Sequence, residues 1–256
     1  MNLFLDALAW IFSPDRLTGS LPLPAAIGQH LAFTFAAVAI AAIIAIPAGW
    51  AIGHTGRGRE FAVALSGAAR AIPTLGLVIL LYLIIGVLYK TEAAMVAFVV
   101  LAIPSILAGA YAGFEAIDRS VIGAGRAVGM TEWQILWRIE VPLGLPLLIA
   151  GLRSAAIQVV ATVTIAAYIG LGGVGFFILQ GIPLRRFDQV LGASIVVVVL
   201  ALLLDGLFAL VQRLVVPRGV RARSRGTSEP DERAGLRRTR TAPIRTAAGA
   251  SALPSS

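Results

Sequence analysis

Three ionisable side chains, Arg70, Arg153 and Asp205, stand inside long apolar runs of this 256-residue chain. A charge in such a run is costly unless it has a partner or water, so residues of this kind serve as intramembrane ion pairs or as polar linings. Counted at 1.5 Å per residue from the nearer ends of their runs, each lies roughly 13 to 17 Å deep. Matching depth allows an Arg153–Asp205 pair that braces the fourth run against the fifth. The alternative has Arg153 snorkelling to the membrane surface while Asp205 faces a wet cavity. Catalysis is not indicated, because no His, Cys or acidic cluster of catalytic spacing stands in or beside the runs. No catalytic residue and no enzymatic activity are expected.

The remaining reactive residue types are sparse. His30 and His54 lie about 36 Å apart on one helix at 1.5 Å per residue, so they cannot share a metal. With no cysteine in the chain, disulfides and thiolate metal sites are excluded. Lys90 is the single lysine, and no G-x-x-x-x-G-K-[ST] run exists to cradle phosphates, so any ATP hydrolysis belongs to another chain. No metal and no cofactor are expected. The stretch from Gly170 to Gly175 matches G-x-G-x-x-G, with Asp188 about twenty residues further on. That fingerprint requires a βαβ unit, and the flanking apolar runs leave no room for one. It reads instead as a glycine-rich break at the outer end of the fourth run, followed by a short helix near 176–181. Thr162, Thr164 and Tyr168 on the fourth run, and Thr74 beside Pro73 on the second, are candidates to line a pathway. Thr and Tyr equally serve to hydrogen-bond packed helices.

What must position these residues is a bundle of membrane helices. The chain is 58% hydrophobic and 13% charged, against about 25% charged in an ordinary soluble domain. A hydrocarbon core of about 30 Å needs about 20 apolar residues in helix, and five runs qualify: 29–52, 61–88, 93–114, 143–169 and 190–214. The expected class is an all-α integral membrane protein with about five transmembrane helices; Pro73 and Pro146 are expected to kink or delay two of them. Residues 1–28 lack a cleavable signal and read as an interfacial segment, with Trp10 and Phe12 at the membrane surface. Residues 29–216 form the bundle. Residues 217–256, rich in Arg, Ser, Thr, Pro and Ala, read as a disordered tail that touches anionic lipid headgroups. Arg57, Arg59, Arg119, Arg126, Arg138 and the cations from Arg213 onward fall on one side, and Arg16, Lys90, Arg185 and Arg186 on the other. By the positive-inside rule the N-terminus lies outside and the C-terminus in the cytoplasm. The net charge of +8 arises from cations that flank spans and crowd the tail, so nucleic acid is not expected as a partner.

Between residues 115 and 142 the apolar pattern is interrupted by a polar, two-helix insert. Asp118 suits an N-cap, Gly129 a helix end, and Thr131 with Gln134 a capping box. Pro142 suits the first turn of the next long helix. Trp133, Leu136, Trp137 and Ile139 or Glu140 follow helical spacing, which fits either a protein contact or packing beneath the membrane. Two capped helices joined at Gly129 make a rigid lever that continues into the fourth span.

The insert resembles the cytoplasmic coupling loop of bacterial ABC importer permeases, whose pattern is E-A-A, three residues, Gly, nine residues, then I-x-L-P. Gly123-Ala124-Gly125 stands at the triplet, Gly129 at the glycine, and Ile139, Val141 and Pro142 at I, L and P; Gly123 replaces the family's glutamate. Four further stretches, Arg70-Ala71-Ile72-Pro73-Thr74-Leu75, Gly151 to Ala155, Thr164 to Gly170 and Gly172 to Gly175, are similar to the osmoprotectant branch, which takes up glycine betaine, carnitine or choline. Arg70 stands where that branch has glutamine. The resemblance implies the type I permease fold in a bacterial inner membrane and a coupling loop at Gly123, Ala124, Gly125, Gly129, Met130, Ile139 and Pro142. The implied partners are an ATPase dimer that meets residues 124–130, an extracytoplasmic solute-binding protein, and a second permease chain, identical or related. Rival readings are an importer of an amino acid such as methionine, a secondary transporter working without ATP, and a membrane-embedded enzyme. A secondary transporter gives no reason for a spaced coupling insert.

Overall fold

The computed structural model describes residues 2–19 and 21–215. The segment 217–256, expected as a lipid-touching tail, lies outside the described residues. In order come α1 (Leu3–Phe12), α2 (Leu23–Thr55), α3 (Arg59–Ala71), α4 (Thr74–Ile85), α5 (Lys90–Glu115), α6 (Arg119–Ala127), α7 (Glu132–Ile135), α8 (Val141–Ala166), α9 (Gly175–Gly181) and α10 (Phe187–Val215). Among the described residues four helical stretches are long and apolar enough to cross a membrane: Leu23–Thr55, Val87–Glu115, Glu132–Ile169 and Phe187–Val215. The remaining expected span, 61–88, is present as two pieces. Pro73 lacks an N–H and drives Ile72 to an extended backbone (φ −74°, ψ 121°). The result is α3 and α4, of 13 and 12 residues, each too short to cross about 30 Å alone. Pro146, by contrast, sits inside an unbroken α8.

The centre of the bundle is made by α5, wedged between α2 and α8. Three lipid-soluble helices gain little from burying apolar area against one another, so close approach through small residues must hold them. Gly109 and Gly113, four apart on α5, face Gly151 and Gly144 on α8. A Cβ on Gly109 would lie 2.7 Å from the carbonyl oxygen of Leu147, and one on Gly113 2.6 Å from that of Gly144. On the other flank Gly49 and Gly53 of α2 meet Ala110 and Phe114. Around these contacts Ala41, Ala97, Phe98, Ala155, Val159 and Val163 are buried in one core.

A smaller cluster docks α1 onto α9 and α10. Trp10 is buried within this cluster. Its ring packs edge-on to Phe177 at 5.3 Å and lies over Gly192, with the Arg16 guanidinium 5.1 Å from its centroid. Phe12 remains 80% exposed.

The glycine-rich break follows α8. Gly170, Gly172 and Gly173 take positive φ (73°, 94° and 68°), which only glycine adopts without strain. The loop is strapped to the bundle by two other helices. Gln29 accepts from the Gly173 N–H at 2.9 Å and donates to the Leu171 carbonyl at 3.2 Å, and Lys90 Nζ donates to the Gly170 carbonyl at 2.8 Å. Gln29→Ala leaves a partly buried loop N–H unpaired. It is expected to destabilise the protein by about 1–3 kcal/mol, seen as a lower melting temperature in detergent.

Candidate functional site

The polar insert folds as its capping residues dictate. Asp118 accepts from the Ser120 N–H at 2.9 Å and starts α6. At the other end Gly129 takes φ +83°. Its N–H bonds Arg126 O at 3.0 Å, and the Met130 N–H reaches Gly125 O at 3.1 Å, which together form a Schellman stop. Thr131 then opens α7 with a reciprocal capping box: its hydroxyl accepts from the Gln134 backbone N–H at 3.3 Å, and its own N–H donates to the Gln134 side-chain oxygen Oε1 at 2.9 Å.

Beyond α7 the structure departs from the expected pair of separate helices. The chain runs without a break from Glu132 through a π-helical turn, Leu136–Glu140, into α8. Pro142 keeps its place in the first turn of α8, but helix already precedes it. A proline has no N–H, and in α-geometry its ring would strike the carbonyl four residues back. The chain relieves this by widening the turn, and the Val141 N–H bonds Leu136 O, five residues back. The second half of the handle and the fourth span are therefore one rod.

Packing divides the coupling-loop candidates into two sets. Ile117, Ile122 and Ile135 form a small buried core joined by Met130, Ile139 and Leu143, and buried Gly125 sits against Ile139, Met130 and Ile135. Gly123, Ala124 and Gly129 are exposed instead. So are Val121 (41%) and Val128 (79%), at i and i+7 around Ala124, giving α6 an apolar outward strip. The handle is fixed to the bundle by rings. Trp50 of α2 stacks on Phe114 at 6.0 Å, Trp137 meets Trp50 edge-on at 5.7 Å, and Trp133 meets Trp137 at 5.6 Å. Trp137→Ala removes the middle ring. It is expected to loosen the handle and raise proteolysis after Arg138 without unfolding the bundle, since rings of this kind contribute about 0.5–1.5 kcal/mol per pair.

Charges tie the same parts together. Arg126 holds Glu132 with two hydrogen bonds, 2.8 and 3.1 Å. These bonds, more than the bare charge, hold the Glu132 carboxyl below and the Arg126 guanidinium above their ordinary ranges. A lowered carboxyl pKa means that this contribution is present above the ordinary carboxylate range and fades as pH falls through the lowered value. His54, in the last turn of α2, places Nδ1 2.5 Å from a carboxylate oxygen of buried Glu140 and Nε2 3.8 Å from Glu132.

In the spans, Arg153 of α8 donates from Nε and Nη2 to both carboxylate oxygens of Asp205 on α10, a fork geometry suited to guanidinium and carboxylate. Thr162 is buried, its hydroxyl bonded to Gln158 O of its own helix at 2.8 Å; Thr164 does the same to Val160 O at 3.1 Å. Tyr168 is 65% exposed. Pro73 caps α4, Thr74 is its first residue, and Arg70 lies in the last turn of α3. Sequence reasoning missed the glycine pairs of α2, α5 and α8, the Gln29 strap and the His54–Glu140 contact. The G-x-x-x-G spacing of Gly49–Gly53 and Gly109–Gly113 was the available signal for the first.

This architecture has known counterparts. Residues 43–220 match the family described as binding-protein-dependent transport system inner membrane component. The carnitine transport permease protein OpuCB of Listeria monocytogenes is 31% identical over 198 residues, covering 77% of this chain and 90% of that protein. The osmoprotectant import permease protein OsmW of Salmonella typhimurium is 31% identical over 199 residues, covering 75% and 91%. A chain of the MetNI methionine ABC transporter in an inward-facing conformation shares the fold, with a TM-score of 0.65 at 23% identity over 75% of this chain and 94% of that one. A multi-helix membrane bundle with a capped polar handle thus coincides with a family match over most of its length: the chain belongs to the binding-protein-dependent transport system inner membrane components, the permeases of ABC importers.

Proposed function

We propose that this chain is the pathway-forming subunit of an ATP-driven importer for a small osmoprotectant, a quaternary ammonium compound such as glycine betaine, choline or carnitine. The observation that carries this reading is the handle. A capped helix with an outward apolar strip, Val121, Ala124 and Val128, is joined through Gly129 to a rod continuous with α8, so a push on α6 is delivered into the membrane. The chain has no phosphate-binding run, so the push comes from a separate ATPase dimer seated on that strip in the cytoplasm, with the N-terminus of the chain outside. Two permease chains, identical or related, enclose the path, with Pro73, Thr74, Thr164 and Tyr168 toward it. The Arg153–Asp205 pair braces α8 against α10 beside it. An extracytoplasmic binding protein delivers the solute and supplies much of the selectivity, through an aromatic cage suited to a quaternary cation. The cargo follows from the relatives at 31% identity, whose names specify carnitine and osmoprotectant transport. The methionine transporter shares the fold at 23%.

The test is uptake into proteoliposomes that hold this permease with an ATPase and a solute-binding protein of an osmoprotectant importer from the same organism. Labelled choline, betaine or carnitine is expected to accumulate only with ATP and loaded binding protein, and unlabelled quaternary ammonium compounds should compete. Accumulation without ATP, or competition by methionine alone, would overturn the reading.

A further inference from the structure

The weak point of the lever is the π-helical turn at Leu136–Glu140. Its hydrogen bonds skip one residue more than those of an α-helix, and such turns are where helices bend. It lies between the handle and α8, where a displacement must pass. Left alone it would act as a hinge and absorb the motion.

Outside that turn lies the last stretch of α2. Trp50 and His54 are four residues apart and so share one face of the helix; Trp50 meets Trp137, the second residue of the π turn. His54 touches both sides of it with a single ring: Nδ1 is 2.5 Å from Glu140, the last residue of the turn, and Nε2 is 3.8 Å from Glu132, four residues before its start. Glu140 is 3% exposed. A carboxylate can only accept, so Nδ1 carries the proton it donates. Arg126 holds the other end of the set, bonded to Glu132. His54 therefore hydrogen-bonds α2 to the last residue of the turn and lies beside the carboxylate that precedes the turn, and Arg126 bonds that carboxylate from α6.

We propose that His54 is a positioning residue for coupling: it splints the π turn, so that α6, the rod into α8 and the end of α2 move as one body. The consequence for coupling rests on the importer reading; the mechanical claim does not. Without the splint, ATP hydrolysed by the partner would bend the turn instead of moving the spans.

The test uses full-length protein and four variants. His54→Ala removes both contacts. His54→Asn keeps an amide nitrogen near the Nδ1 position and so retains the bond to Glu140. His54→Gln places its amide nearer the Nε2 position, toward Glu132. His54→Ala with Glu140→Gln removes the buried charge that His54→Ala alone would orphan. Hydrogen exchange of residues 128–140 is expected to rise about tenfold in His54→Ala, the scale of one lost charge-assisted hydrogen bond, with the α5–α8 core unchanged. Exchange should fall back toward the native level in His54→Asn more than in His54→Gln. In the reconstituted complex, solute moved per ATP should drop about tenfold in His54→Ala, within the usual range of coupling between sites. It should stay low in the double variant.

Unchanged exchange at 128–140 in His54→Ala would overturn the splint. So would native coupling in the double variant, because the single variant's defect would then be only that of an unpaired buried carboxylate. If the native complex moves solute without ATP, the importer reading falls, and the exchange measurement still decides whether the splint exists.

Discussion

Asp205→Ala is expected to leave little functional permease in the membrane. The substitution leaves the Arg153 guanidinium on α8 inside a membrane-spanning helix without the carboxylate that takes both its hydrogen bonds. Breaking a buried pair from one side is strongly destabilising. Here the two side chains are 35% and 30% exposed in the single chain, so the loss is smaller than for a fully buried pair, and it falls on the one contact that ties these two charges together. Two double variants separate the roles of the pair. The charge swap Arg153→Asp with Asp205→Arg should recover folded protein, because the fork can form in reverse. Arg153→Met with Asp205→Leu removes both charges, and apolar replacement of such a pair is often neutral or stabilising. If the pair is a brace, this variant transports; if the charges face the solute, it folds and does not.

A second large effect is expected from Gly113→Leu and Gly109→Leu. At both positions the atom in the way is backbone of α8, 2.6 Å from the Cβ of a side chain at 113 and 2.7 Å from one at 109. Backbone cannot rotate aside as a side chain can, so α5 and α8 must separate along their length. The lost contact includes the glycine-lined seam that replaces hydrophobic driving force inside a membrane. Each single substitution should therefore abolish accumulation of the protein. Gly206→Leu on α10 has open space around its Cβ and is the control: near-native levels are expected. Equal loss at all three sites would show that bulk alone, and not the α5–α8 seam, is responsible.

The parts legible in the sequence were those governed by local rules. Apolar runs of helical length gave the spans, and Asp118, Gly129, Thr131 and Gln134 gave the handle's stops and starts, because caps act within four residues of themselves. Contacts between distant segments were harder to read. Trp10 finds Phe177 and Gly192 only once α1 is folded against α9 and α10, and His54 finds Glu140 across 86 residues. The π turn lies between these cases. Pro142 announced a helix start, but the sequence does not tell whether the helix before it ends or widens to accommodate the ring. That choice was made by the ring stack from Trp50 to Trp133 and by the isoleucine core, which hold the handle in line with α8. The Arg153–Asp205 pair is legible from depth alone, since two charges at the same level of adjacent spans each need the other.

The absence of cysteine from the chain makes one measurement direct. A single cysteine at Val128, on the outward strip of α6, carries a short thiol-reactive crosslinker in the reconstituted complex, with a cysteine at Phe12, also exposed, as control. The Val128 probe should capture the nucleotide-hydrolysing subunit, with a yield that changes between ATP-bound and nucleotide-free states, while the Phe12 probe captures none of it. Absence of that subunit at Val128, or its capture at Phe12 instead, would contradict a handle through which a separate ATPase moves this bundle.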